Sequence, residues 1–173
     1  MSAAENKDPK HDIALALREA LGRALANIDL VRNARRLSGG ASQETWAFDA
    51  VTDHHVHPLV LRRAPGGHTN TKRDTAVPLA TEAHLIQLAQ KQGVPVPQVT
   101  LVLDETDGLG DGFIMERIEG ETIARKILRD EAYAEARPKL ARQCGEMLAR
   151  IHDVPLDNLP DLQRSPARAE IDK

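Results

Sequence analysis

The sequence predicts an α+β fold: five strands in a meandering antiparallel sheet, one helix inserted after the third, an amphipathic helix in front and the start of a helical unit behind. Three observations carry this. Short apolar alternations recur between turn-rich stretches, helix-spaced apolar stripes flank and interrupt them, and Gly or Pro punctuates the junctions. At 173 residues the chain is long enough for a real core, which must be mostly aliphatic because it has one Trp, one Tyr and two Phe.

From Ile13 to Ile28 the residues Ile13, Leu17, Ala20, Leu21, Ala24, Leu25 and Ile28 share one helix face, with Asp12 as a cap before them. Strands are expected over 33–38, 44–51 (ETWAFDAV) and 58–63 (PLVLRR), separated by a Gly-rich stretch and by DHHVH. Residues 64–76 have no period and read as a mobile loop. A second helix over about 77–92 must stop where Gly93, Pro95 and Pro97 forbid continuation. Two further strands fit 98–103 and 111–118 around the turn-rich DETDGLG. Thr122 is placed to cap a short helix over 123–130, and a longer helix over 132–152 puts Leu140, Cys144, Met147, Leu148 and Ile151 on one face. Residues 156–173 read as a polar tail and as a cut through a larger fold.

A formal charge of −3 gives no bulk reason to bind nucleic acid or an anionic membrane. The single cysteine, Cys144, cannot pair within the chain, and residues 1–12 lack the apolar core of a signal peptide, so a cytoplasmic setting is expected. No apolar run has the roughly 18 residues of a membrane span. A homo-oligomer stays open.

The stretches SGGASQETW, LVLRRAP, the Glu82 helix followed by GVPVP, FIMERIEGET and LARIHDVP occur in an order that resembles the aminoglycoside phosphotransferase and choline kinase-like family. The resemblance covers about residues 33–155 and implies a protein-kinase-like small lobe. The corresponding division is 1–30 as an N-terminal helical extension, 31–118 as a nucleotide-binding small lobe, 119–155 as linker and first helices of the helical lobe, and 156–173 as tail. It implies ATP and Mg²⁺ as cofactors and transfer of the γ-phosphoryl group to a hydroxyl of a small molecule. The acceptor itself is not implied, since in this fold the helical lobe builds most of its site.

Taken alone, the glycines of residues 36–50 fit either a hairpin turn or a loop whose amides close over phosphate. The resemblance favours the second, with Gly39, Gly40, Ala41, Ser42 and Gln43 around the phosphates. It is not a Walker A loop, because no Gly-Lys-Ser/Thr follows. Period-two alternation puts Val60 and Arg62 on one face of the third strand and Leu59, Leu61 and Arg63 on the other. Val60 is small enough to lie against adenine, and Arg62 falls where the fold usually carries a phosphate-binding Lys. Arg63 is the weaker alternative. Glu82 sits within its helix's apolar stripe, where a carboxylate needs a partner, and the resemblance implies an ion pair with Arg62. In FIMERIEG the family's adenine contacts fall on the carbonyl of Glu116 and the amide and carbonyl of Ile118, with Met115 lining the pocket behind.

The resemblance implies that a base for the attacking hydroxyl and ligands for magnesium come from a His-Gly-Asp loop with Asn five residues after its Asp, and from a later Asp on a following strand. Among the 173 residues, HDVPLDN offers His152, Asp153 and Asn158, but no Gly separates His from Asp. His152 and Asp153 are therefore rejected as catalytic, and no catalytic or metal residue is assigned. His54, His55 and His57 read as a solvated hairpin turn, GGHTNTKRD as a flap, and Cys144 as a small core residue. The competing reading is a non-catalytic nucleotide-binding or protein-interaction module.

Overall fold

The computed structural model describes residues 9–38, 43–67, 77–160 and 162. Its elements run α1 (Pro9–Leu21), β1 (Ile28–Arg36), β2 (Glu44–Thr52), β3 (Val56–Arg63), α2 (Leu79–Lys91), β4 (Val99–Val102), β5 (Gly112–Glu116), α3 (Ala124–Arg129) and α4 (Arg137–His152), with single 3₁₀ turns between some of them. The five strands form one antiparallel sheet in the order β1-β2-β3-β5-β4. This is the α+β, kinase-like small lobe that the sequence predicts, with α2 inserted after the third strand.

Sheet parity separates two cores. On the back face, Ile13, Leu17 and Leu21 of α1 pack with Phe48, Leu61 and Ile114. On the front face, Leu79 and Ala83 of α2 pack with Phe113 and Ala64. Phe48 and Phe113 are both fully buried, each contributing up to about 3 kcal/mol of transfer free energy. Their burial is what fixes the register, since a one-residue slip would turn each to the other face.

The first helix is shorter than its apolar period suggested. Gly22 follows Leu21 with its N–H on the Arg18 and Glu19 carbonyls, and Asn27 then adopts φ 55, which swings the chain into the sheet. Ile28 therefore opens β1 instead of closing a helix, and Asp12 lies in the first turn of α1 instead of at its cap. Residues 64–67, expected to be part of a mobile loop, are built into the fold. Ala64 is buried and donates its N–H to the Asp111 carbonyl, and a Cβ on Gly110 (φ 82) would lie 1.7 Å from the Gly67 carbonyl oxygen, so that crossing requires glycine.

Two adjacent arginines end β3, and Glu44 decides how they are used. Glu44 pairs with Arg63 in the β2–β3 register; Arg63 Nε donates to its Oε2 at 3.1 Å and Nη2 lies 3.0 Å from the same oxygen. Arg63 Nη1 also donates to the Leu109 carbonyl at 3.1 Å. Arg63 is thus held on the back face, and Arg62, by parity, must project from the front. Burial pushes the Glu44 carboxyl up, but the Gly66 N–H, the Arg63 guanidinium and the Trp46 indole outweigh it and leave the pKa below the ordinary 4.5. A carboxylate lowered on folding contributes stability that is present above its unfolded pKa and lost as pH falls through the folded one. Glu44→Gln is therefore expected to destabilise at pH 7 and to narrow its gap from wild type as pH drops below about 4.5. Thermal melts at pH 7 and pH 3 check this, and an unchanged gap would sink it.

The helical unit differs in its details. Thr122 does not cap α3: Ile123 stands at its N-cap with no side-chain capping bond, and the Glu121 carboxylate braces the approach, accepting from the Thr122 and Ile123 N–H groups at 3.0 and 2.9 Å while Lys126 pairs with it at 3.1 Å. Residues 131–136 form a 3₁₀ turn followed by a hydrogen-bonded turn, and α4 starts at Arg137 because Pro138 suits only the first helical positions. Cys144 is exposed, not a core residue, and Leu148 and Ile151 on the same helix are exposed too. Arg150 reaches the Gly93 carbonyl at the end of α2.

Candidate functional site

The front face of the sheet carries an apolar band beside a charged one. Across the strands, Ala47 pairs with Val60 and Val60 with Met115; one step along, Thr45 pairs with Arg62 and Arg62 with Phe113. Ala47 and Val60 are buried and Met115 is half-buried against α2. An apolar band that ends at a guanidinium sets an apolar environment beside a positive charge, the order of an apolar ring followed by an anion.

Glu82 lies in the first turn of α2 and meets Arg62, with Nε 3.0 Å from Oε1. The ion pair expected from the sequence is formed. Its geometry is that of a Coulombic contact, since Arg62 Nε is buried yet its N–H is not aimed at the carboxylate closely enough to make a hydrogen bond. The pair is 37% and 29% exposed, which limits its worth to stability to about 0–1 kcal/mol. Two residues before Thr45, the Gln43 side-chain oxygen is likewise buried with no donor among the described residues. This corner therefore holds a guanidinium whose Nε lacks an aligned acceptor and an amide with an unmet polar atom. The guanidinium favours an anionic ligand, whereas the Gln43 oxygen, an acceptor, calls for a hydrogen-bond donor. Gly39, Gly40, Ala41 and Ser42 lie outside the described residues, as do 68–76, the core of the expected flap.

At the linker, the Glu116 N–H donates to the Gln98 carbonyl at 2.9 Å, which ties the end of β5 to the approach of β4. Ile118 is 61% exposed, and neither its N–H nor its carbonyl is hydrogen-bonded among the described residues. It presents a donor and an acceptor side by side. The residue between them, Arg117, was not singled out by sequence reasoning. Its Nη1 lies 3.0 Å from Asp49 Oδ1 and donates to the Phe48 carbonyl at 3.1 Å, and its Nε donates to Glu119 Oε1 at 3.0 Å. Asn33 Nδ2 holds the other Asp49 oxygen at 2.7 Å. The Asn33 hydrogen bond lowers the Asp49 pKa, the Arg117 guanidinium adds to that, and partial burial opposes both. A proline at the head of a strand pattern, Pro58, is the signal in the sequence that points to this network.

His152 closes α4 and Asp153 occupies its C-cap position, both exposed. His54 and His55 are exposed on the β2–β3 turn, and His55 and His57 stand edge to face with ring centroids 6.2 Å apart. Among the described residues no three His, Cys, Asp or Glu side chains come together as a metal site, and no helix is long and apolar enough to cross a membrane.

A model of the phosphotransferase enzyme family matches residues 33–173. No curated protein matches the chain.

Proposed function

The chain belongs to the phosphotransferase enzyme family, and from that premise we propose that its front face and linker bind ATP for transfer of the γ-phosphoryl group to a hydroxyl of a small molecule. The observation that carries this reading is the Arg62–Glu82 pair at the end of the Ala47, Val60 and Met115 band. Adenine lies against Val60 and is read at its edge by the Glu116 carbonyl and the Ile118 amide and carbonyl. Met115 lines the back of that pocket. Arg62, held by Glu82, neutralises the α- and β-phosphates, while Gly39, Gly40, Ala41, Ser42 and Gln43 approach the triphosphate from the strand turn.

Magnesium, when bound, clamps the phosphates and offsets developing charge. Its ligands are not assigned: among the described residues no three His, Cys, Asp or Glu side chains come together. The 173 residues also contain no His-Gly-Asp loop. In this reading they bind nucleotide in a cytoplasmic setting and do not by themselves turn it over. That same lack keeps a non-catalytic nucleotide-binding module as the second reading, and the uncovered Leu148 and Ile151 favour a protein-interaction role within it.

Titration of the chain with MgATP, followed by Trp46 fluorescence and paired with an assay for ADP release, is expected to give saturable binding without turnover. No binding at millimolar MgATP would overturn the nucleotide assignment. Turnover would show that a carboxylate other than those sought does the chemistry.

A further inference from the structure

Arg117 stands where the linker leaves the sheet, and none of the nucleotide contacts proposed above uses its side chain. Its N–H donates to the Pro58 carbonyl at 3.0 Å. In an antiparallel pair the return bond runs from the amide of the opposite residue, and proline has none, so this pair is left half-made. The β3–β5 ladder accordingly ends one step earlier, at Leu59 and Glu116. Past Glu116, whose own N–H lies on the Gln98 carbonyl, backbone hydrogen bonds hold the linker at Arg117 alone among the described residues, so a side chain can decide its angle.

The side chain supplies the second restraint. It reaches across β3 to β2, where the Asp49 carboxylate and the Phe48 carbonyl receive it. Asn33 steadies Asp49 from β1, at the register shift between Arg32 and Arg35, and its own φ of 57 is what that shift requires. The Arg117 and Asp49 side chains are 24% and 14% exposed, so the tie is better shielded than a surface pair and is hydrogen-bonded on both sides.

We propose that Arg117 is a positioning residue: its tie to Asp49 sets how the linker lies on the front face, and so where the Ile118 N–H and carbonyl meet a nucleobase. This rests on the nucleotide reading only for what Ile118 meets. The fixing of the linker stands without it.

The test uses Arg117→Met, Asp49→Asn and Pro58→Val in the whole chain, with amide hydrogen exchange read by residue and with adenosine and inorganic tripolyphosphate titrated separately. Arg117→Met is expected to lower protection of the residue-117 amide, whose N–H lies on the Pro58 carbonyl, and to weaken adenosine, each about tenfold, leaving tripolyphosphate and the amides of α2 unchanged. Asp49→Asn gives the same pattern more weakly and serves if Arg117→Met fails to fold. Pro58→Val restores the missing N–H and is expected to rescue Arg117→Met in both readouts. A merely structural ion pair would weaken both ligands alike and would not respond to Pro58→Val, and that result overturns the proposal. Unchanged protection of the residue-117 amide overturns it as well. If the wild-type chain binds neither ligand, the nucleotide reading falls, while the exchange data still decide whether Arg117 fixes the linker.

Discussion

Leu17→Ala is expected to remove about 3 kcal/mol of unfolding free energy, and Leu15→Ala on the same helix less than about 0.5 kcal/mol. Leu17 is fully buried between α1 and the back of the sheet, in the cluster that holds Phe48, Leu61 and Ile114. Truncating it removes three methyl or methylene groups' worth of transfer free energy and leaves a cavity that these rigid strand side chains cannot collapse to fill. Leu15 is 46% exposed, so the same truncation there changes little that water does not already reach. Against a typical total of about 5–15 kcal/mol, the first change is severe. Although α1 precedes the residues matched by the family model, it shares one core with the sheet. Urea unfolding of the two variants checks this: the Leu17 midpoint should fall sharply with the slope preserved. Coincident midpoints would mean that α1 is dispensable to the sheet.

The pattern of strands and the inserted helix was legible because period-two and period-3.6 burial are properties of the residues themselves. Val60 and Arg62 share a face whatever their partners are. What sequence could not give was the choice made by neighbours distant in the chain. That Arg63 is the residue turned away follows from Glu44 opposite it, nineteen positions earlier, and from the Leu109 carbonyl. The end of α1 was misplaced because Leu25 and Ile28 continue its apolar period while Gly22 and Asn27 break its backbone. Thr122 does not cap α3 because the helix begins one residue later, with Ile123 at its N-cap, and the Glu121 carboxylate accepts from both the Thr122 and Ile123 amides. Cys144 was read as core from the stripe of its helix, yet among the described residues no second element covers that face. The Arg117 tie needed three strands in register before its purpose could be seen.

Arg62→Ala is expected to weaken MgATP binding roughly 10–100-fold, the range a charge-assisted contact to phosphate is worth, while leaving the unfolding midpoint nearly unchanged. The two halves of that expectation separate function from fold. A half-exposed pair contributes little to stability, so its retention on the front face calls for another reason. Glu82→Gln should weaken binding by less, because the guanidinium keeps its charge and loses only its orientation toward the triphosphate. The double variant decides the mechanism: if Glu82 acts only through Arg62, adding Glu82→Gln to Arg62→Ala costs nothing more. Equal losses from Glu82→Gln in both backgrounds would give the carboxylate a role of its own and break the link between α2 and the phosphates. Arg62→Lys tests the shape of the group, since a compact ammonium keeps the charge but cannot fork onto two oxygens. Affinity retained in Arg62→Lys would mean that charge alone suffices at this position, and affinity lost would mean that the fold has been fitted to the planar group.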